Sequence, residues 1–198
     1  KTDTDPASFL TGDLDIFGMD KVTVENDMAV ITSQHILSQV VQRLDLQTSV
    51  YAQGRIKSSL QFNEELPFDV NFDNIETEQE WEMKVANNQA TISNDSINYT
   101  INKGQFLDKS NIKINPQDSL FLEDQSYLIS YTPLNKTVAA LRENLSVAVG
   151  SKKGEVINLS IQGTNKKRND AILNTLIQVL SEDQVADKRE ISVVSIAF

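Results

Sequence analysis

At roughly 150 residues per domain, 198 residues make one domain, or one domain with a large insertion. Eighteen Lys and Arg against twenty-eight Asp and Glu leave a net charge of −10, which repels phosphate backbones and argues against nucleic acid as a partner. The absence of Cys and the single His35 exclude disulfides, thiolate catalysis and a multi-histidine metal centre, so composition points to an acidic, non-enzymatic globular chain without metal or cofactor.

Residues 1–20 read as an irregular N-terminal arm, because Pro6, Gly12 and Gly18 interrupt any period. The start has neither a Met nor the apolar core of a signal peptide, and no run approaches the roughly 20 apolar residues of a membrane span. With an end at Ile196-Ala-Phe198 inside an apolar pattern, these features predict a piece of a longer protein. From Val22 the pattern turns helical. Val24, Met28 and Ile31, then Ile36, Leu37, Val40, Val41 and Leu44 recur at spacings of three and four. Ser33 is placed to cap the second stretch, so the pattern predicts a short helix, a break near Thr32-Ser33, and a helix to about Asp45.

Extended segments follow. Gln47–Tyr51 leads to Gly54, and Phe68–Phe72 alternates apolar with polar residues. Trp81–Val85, Ala90–Ile92, Ile97–Ile101 and Ile112–Ile114 are short strands parted by Asn87-Asn88, Asn94-Asp95 and Lys103-Gly104, residues that tolerate positive φ in tight turns. They predict an antiparallel β-meander, followed by a strand at Tyr127–Tyr131 that stops at Pro133. Leu134–Leu145 reads as a helix and Val156–Ile161 as a strand closed by Gly163. Asn165 then caps a helix whose Ile172, Leu173, Leu176, Ile177 and Leu180 form one apolar face, expected to dock on a sheet. Polar residues resume at Ser181-Glu-Asp183, and a second helical stretch is predicted from Val185 towards Phe198.

Few side chains offer chemistry. His35 beside Ile36 and Leu37 reads as a surface or helix-start residue. The acidic run Glu64–Glu82 lacks the order of a calcium loop and reads as the solvent side of a strand. Gly150-Ser-Lys-Lys-Gly154 lacks the spacing of a phosphate loop and reads as a turn. More distinctive are Lys152-Lys153 and Lys166-Lys167-Arg168, two basic clusters flanking one strand in an otherwise acidic chain. The second opens a helix, where positive charge opposes the macrodipole by a few tenths of a kcal/mol. An anionic partner would offset that cost, which makes these five residues the candidate contact for a partner or a polysaccharide.

Two segments carry a resemblance. One runs from Val24 to Leu46 and ends in the apolar helix pattern Ser-x-x-x-Leu-x-x-Val-Val-x-x-Leu-x-Leu from Ser33; the other runs from Glu155 to Leu180, with the strand Val156-Ile-Asn-Leu-Ser160 followed by Asn165, Ala171 and Ile172-Leu-Asn-Thr-Leu-Ile177. Together they resemble the periplasmic domain of bacterial polysaccharide chain-length determinants (Wzz type, polysaccharide co-polymerases), a group that includes exopolysaccharide tyrosine kinases built on the same extracytoplasmic domain. Gly163-Thr-Asn-Lys166 stands where that family has Asp and Pro.

The resemblance implies an α+β fold: a mixed α/β base of Wzz type, residues 21–62 and 126–198, around an antiparallel β-meander insertion, 64–125. Leu37, Val40, Val41, Leu173, Leu176, Ile177 and Leu180 would form the base core. It further implies a periplasmic domain held to the inner membrane by spans outside the chain. Such subunits assemble with themselves into rings that regulate the length, assembly or export of capsular polysaccharide, exopolysaccharide or O-antigen, working with the polymerase and export machinery. The excised domain is expected to be monomeric, and a kinase domain, where the longer protein carries one, would lie on the cytoplasmic side beyond the second span. The alternative is a β-rich carbohydrate- or ligand-binding module without a role in chain-length control, with Trp81, Tyr99, Phe106 or Tyr131 stacking on sugars.

Overall fold

Two helices carry the apolar spacing of three and four residues, and they part where that spacing slips between Ile31 and Ile36. A computed structural model of the chain describes residues 16–73, 75–109, 111–150 and 156–196, with side chains between 24 and 185. Helix α1 spans Ile16–Ile31 and α2 spans Gln34–Arg43. At the break the Thr32 hydroxyl donates to the Met28 carbonyl at 3.0 Å, and the Ser33 hydroxyl accepts the Ile36 amide at 3.3 Å. These bonds satisfy groups that a helix end leaves orphaned. The expected arm is corrected over residues 16–20, which belong to α1. A single interior glycine such as Gly18 costs a helix only about 1 kcal/mol relative to alanine, too little to stop it. The rest of the arm, residues 1–15, lies outside the described residues.

The fold is α+β, with its strands in three antiparallel sheets. The largest combines β1 (Thr48–Gln53), β2 (Ser58–Gln61), β4 (Gln79–Ala86), β5 (Gln89–Ser93), β6 (Asn98–Asn102) and β9 (Gln125–Tyr131) in the order β2-β1-β9-β4-β5-β6. A smaller sheet, β3-β8-β7, joins Phe68–Asn71, Lys113–Pro116 and Leu107–Asp108. Alternation decides which faces meet. Trp81, Met83 and Val85 of β4 and Tyr127, Ile129 and Tyr131 of β9 point inward, and they share a core with Phe68, Ile112 and Ile114 of the small-sheet side. Phe68 meets Tyr127 edge-on with ring centres 5.2 Å apart, and Phe72 lies 5.1 Å from Tyr131. Asn87 and Asn88 turn β4 into β5 with φ of 52° and 63°, the two left-handed residues that a two-residue hairpin needs.

The strands do not divide at the expected boundaries. β1 and β2 precede residue 64, yet β1 pairs with β9, and β9 pairs with β4 of the meander. Residues 64–125 are therefore continuous with a β-sandwich rather than a separate insertion.

A second core holds the helices. Helix α3 (Leu134–Asn144) leads directly into β10 (Leu145–Val149), so Leu145 opens a strand instead of ending the helix. β10 pairs with β11 (Ile157–Ile161), and α4 follows as Lys166–Ile196. Ile36, Leu37, Val40 and Val41 of α2 share this core with Val138 and Leu141 of α3 and with Ile172, Leu176 and Val179 of α4; Leu173 and Leu180 pack at its margin. The apolar face of α4 thus docks on α2 and on the β10–β11 hairpin, and the broad sheet lies in the other core.

Ile177 is a correction. It is 56% exposed while Val179 is fully buried. At about 100° of turn per residue, Ile172, Leu176 and Val179 cluster within one stripe and Ile177 falls well outside it. The expected second helical stretch is also absorbed, because α4 runs unbroken through Ser181-Glu-Asp183.

Candidate functional site

Asn165 organises the start of α4. Its side-chain carbonyl accepts the Arg168 amide at 3.0 Å, which caps the helix as its position predicts. The same side chain donates to the Leu60 carbonyl at 2.9 Å and to Glu65 Oε2 at 2.8 Å. Glu65 also accepts the Phe62 amide at 3.1 Å and lies 3.3 Å from Lys167 Nζ. The Asn165 bond, reinforced by Lys167 and the Phe62 amide, holds the Glu65 carboxyl below its ordinary pKa.

The basic cluster is consequently not one surface. Lys166 is exposed, Lys167 faces Glu65, and Arg168 is turned partly inward, with Nη2 3.4 Å from the Leu46 carbonyl. Desolvation lowers the pKa of Arg168. Lys152 and Lys153 lie outside the described residues. Of the five candidate cations, only Lys166 is therefore described as an open, unengaged charge.

Polar residues that were expected to interrupt α4 tether it instead. Arg43 of α2 donates to Glu182 at 2.5 Å, and Gln178 Nε2 reaches the same carboxylate at 2.9 Å. The Arg43 bond, then the Gln178 bond, lower the Glu182 pKa. Asp183 Oδ1 lies 3.3 Å from His35 Nε2, so the lone histidine sits at the α2–α4 seam. Beyond this rung α4 continues to Ile196, roughly 20 Å at 1.5 Å per residue. Ile177 and Val185 are exposed on its surface.

The aromatic candidates separate by burial. Trp81 is 1% exposed and Tyr131 lies in the sandwich core, so neither presents a ring face. Tyr99 is half-buried, its ring stacked at 6.1 Å on Trp81 with Lys109 Nζ 5.8 Å from its centre. Only Phe106, 69% exposed, offers an open ring. In the acidic run, Asp73 pairs with Lys113 at 2.6 Å, Glu78 with Lys136 at 3.2 Å and Glu82 with Lys84 at 2.8 Å. Among the described residues no group of three His, Cys, Asp or Glu side chains is placed to hold a metal ion.

One concavity lies where the two cores meet. A cleft of about 810 Å³ opens between the end of α2, the start of α3 and the rim of the sandwich. It is lined by Gln42, Asp45 and Gln47 at and after the end of α2, by Asn71 and Glu76 from the sandwich side, and by Pro133, Leu134 and Asn135 at the start of α3. Asp45 has a positive φ of 47°, at the turn that leaves α2. Burial on the cleft wall raises its carboxyl pKa, opposed by a hydrogen bond to Thr48. Gln47 Nε2 donates to the Tyr131 hydroxyl at 2.8 Å, which ties the wall to the sandwich. The cleft was not legible in sequence, because its side chains come from separate elements and share no motif. The one local sign is Asp45, a non-glycine residue just past a helix end.

No described helix is long and apolar enough to cross a membrane. No family model matches the chain, and no curated protein matches it.

Proposed function

We propose that the chain is the extracytoplasmic scaffold of a polysaccharide chain-length determinant of Wzz type. It is a non-enzymatic domain that self-associates to regulate the length, assembly or export of a capsular polysaccharide, exopolysaccharide or O-antigen. In this reading it sits in the periplasm, tied to the inner membrane by spans on either side, and works beside the polymerase and export machinery.

The observation that carries the reading is the pairing of the two resembling segments. The Ser33–Leu46 helix and the Val156–Leu180 strand-and-helix lie far apart in sequence yet share one core, through Leu37, Val40, Val41, Ile172, Leu176 and Val179. Support also comes from α4, which leaves this core as a continuous helix bearing Ile177 and Val185 outward. Apolar side chains exposed on an extended helix are suited to contacts with a neighbouring subunit.

Because these 198 residues contain no Cys, Ile177→Cys introduces the only thiol within this segment. A thiol-to-amine crosslinker applied to that variant in the intact protein, in its own membrane, should give a ladder of covalent multimers. Recovery of monomer alone, with the thiol fully modified, would contradict self-association along this helix.

A further inference from the structure

We propose that the cleft between the helical base and the sandwich seats neutral or N-acetylated sugar residues of a polysaccharide; this rests on reading the chain as a polysaccharide-handling domain. The class of ligand follows from the lining. At about 810 Å³ the cleft falls within the range of small-ligand sites, about 300–1,000 Å³, and it lies at a seam between cores, where such sites concentrate.

Sugar hydroxyls both donate and accept, and so do carboxamides. The cleft presents four of them, Gln42, Gln47, Asn71 and Asn135. Gln42 and Asn71 are exposed and make no side-chain hydrogen bond among the described residues. Gln47 spends its nitrogen on Tyr131 and keeps its carbonyl oxygen, while Asn135 accepts from Gln34 at 3.4 Å and keeps its nitrogen. Donors and acceptors are thus both open. Half-buried Ile75, Pro133 and Leu134 add apolar surface for the C–H face of a pyranose ring.

Charge narrows the class further. Among the described residues, the ionisable carboxylates in the lining are Asp45 and Glu76, and no Lys or Arg lines it. An acidic sugar would bring like charge to these groups. The described candidate cations Lys166, Lys167 and Arg168 do not line the cleft, and Lys167 and Arg168 are engaged elsewhere. Asp45 is held at positive φ, and its carboxylate oxygens can accept from sugar hydroxyls.

The test titrates the ¹⁵N-labelled 198-residue chain with cellotetraose, chitotetraose and tetragalacturonate, following backbone and side-chain amide signals. The expected result is saturable shifts with cellotetraose or chitotetraose, centred on the side-chain amides of Gln42, Gln47, Asn71 and Asn135. The combined Gln42→Ala and Asn71→Ala variant should weaken that binding by about tenfold or more, equivalent to about 1.4 kcal/mol, with an unchanged melting temperature. Tetragalacturonate should leave the cleft signals in place. Three results would overturn the proposal: no shift with either neutral probe at millimolar concentration, shifts remote from the cleft, or equal binding by the double variant. Stronger binding of tetragalacturonate would overturn the neutral class. This titration needs no assembly, so neutral-probe binding alongside a failed crosslinking ladder leaves the cleft standing and removes the scaffold. Multimers without probe binding do the reverse.

Discussion

Asn165 donates its side-chain amide to Glu65 Oε2 at 2.8 Å across 100 residues of sequence. It thereby fastens the first turn of α4 to the turn between β2 and β3 of the sandwich. Asn165→Ala removes the helix cap and both long-range bonds, to Leu60 and Glu65, together. A loss of about 2 kcal/mol is expected from one cap and one partly buried polar contact. Over a chain of this size that lowers the melting temperature by roughly 4–8 °C. Asn165→Asp keeps the cap acceptor but sets a carboxylate against Glu65, so its deficit should be larger at pH 7 than at pH 4. Equal deficits at the two pH values would contradict the geometry.

Adjacent residues on α4 should behave oppositely. Leu176 is 1% exposed at the α2–α4 contact, and Leu176→Asp buries an unpaired carboxylate there. Loss of the cooperative melt is expected. Ile177→Asp changes a surface position and should stay within about 0.5 kcal/mol of the parent. The reverse order would mean that the helix is rotated relative to the base.

Asp45→Asn should stabilise the chain at pH 7. Asparagine tolerates the left-handed backbone at Asp45 and relieves a negative charge at the end of α2, where the helix dipole is also negative. The burial that raises the Asp45 pKa acts in the same direction. For an acid raised in the fold, stability is greatest while it is protonated and declines as pH rises through its unfolded and then its folded pKa. The gain from Asn should therefore shrink towards zero below about pH 3.5, where Asp is itself neutral. Melting curves at pH 3.5 and pH 7 measure both.

Glu65 and Glu182 have the opposite sign. Both carboxyls are held below their ordinary pKa, by Asn165 and by Arg43 respectively. Their contribution is complete above the unfolded glutamate pKa of about 4.3 and is lost as pH falls through the lowered folded values. Glu65→Gln and Glu182→Gln should each reduce the fall in melting temperature between pH 5 and pH 3. An unchanged slope in the double variant would place the acid sensitivity elsewhere.

Much of the fold was legible because it rests on local rules. Ser33 and Asn165 cap as their positions predict, and Asn87-Asn88 turns the hairpin. Ile177 misled because six apolar residues crowd Ile172–Leu180, more than one helix stripe can bury, and only the partner helix decides which are excluded. The sheet boundary was hidden for a related reason: pairing of β1 with β9 joins residues about eighty apart, and no periodicity within either strand announces its neighbour. The basic cluster drew attention by composition, whereas Lys167 and Arg168 are occupied by Glu65 and the Leu46 carbonyl, contacts that exist only once the chain has folded.

The length distribution of the polysaccharide made by cells carrying Ile177→Asp with Val185→Asp in the full-length protein tests the scaffold reading most directly. Both side chains are exposed, so the fold and membrane level should match the parent. The expected result is a shifted or broadened band pattern on a glycan gel. An unaltered pattern, at equal protein level, would contradict the account.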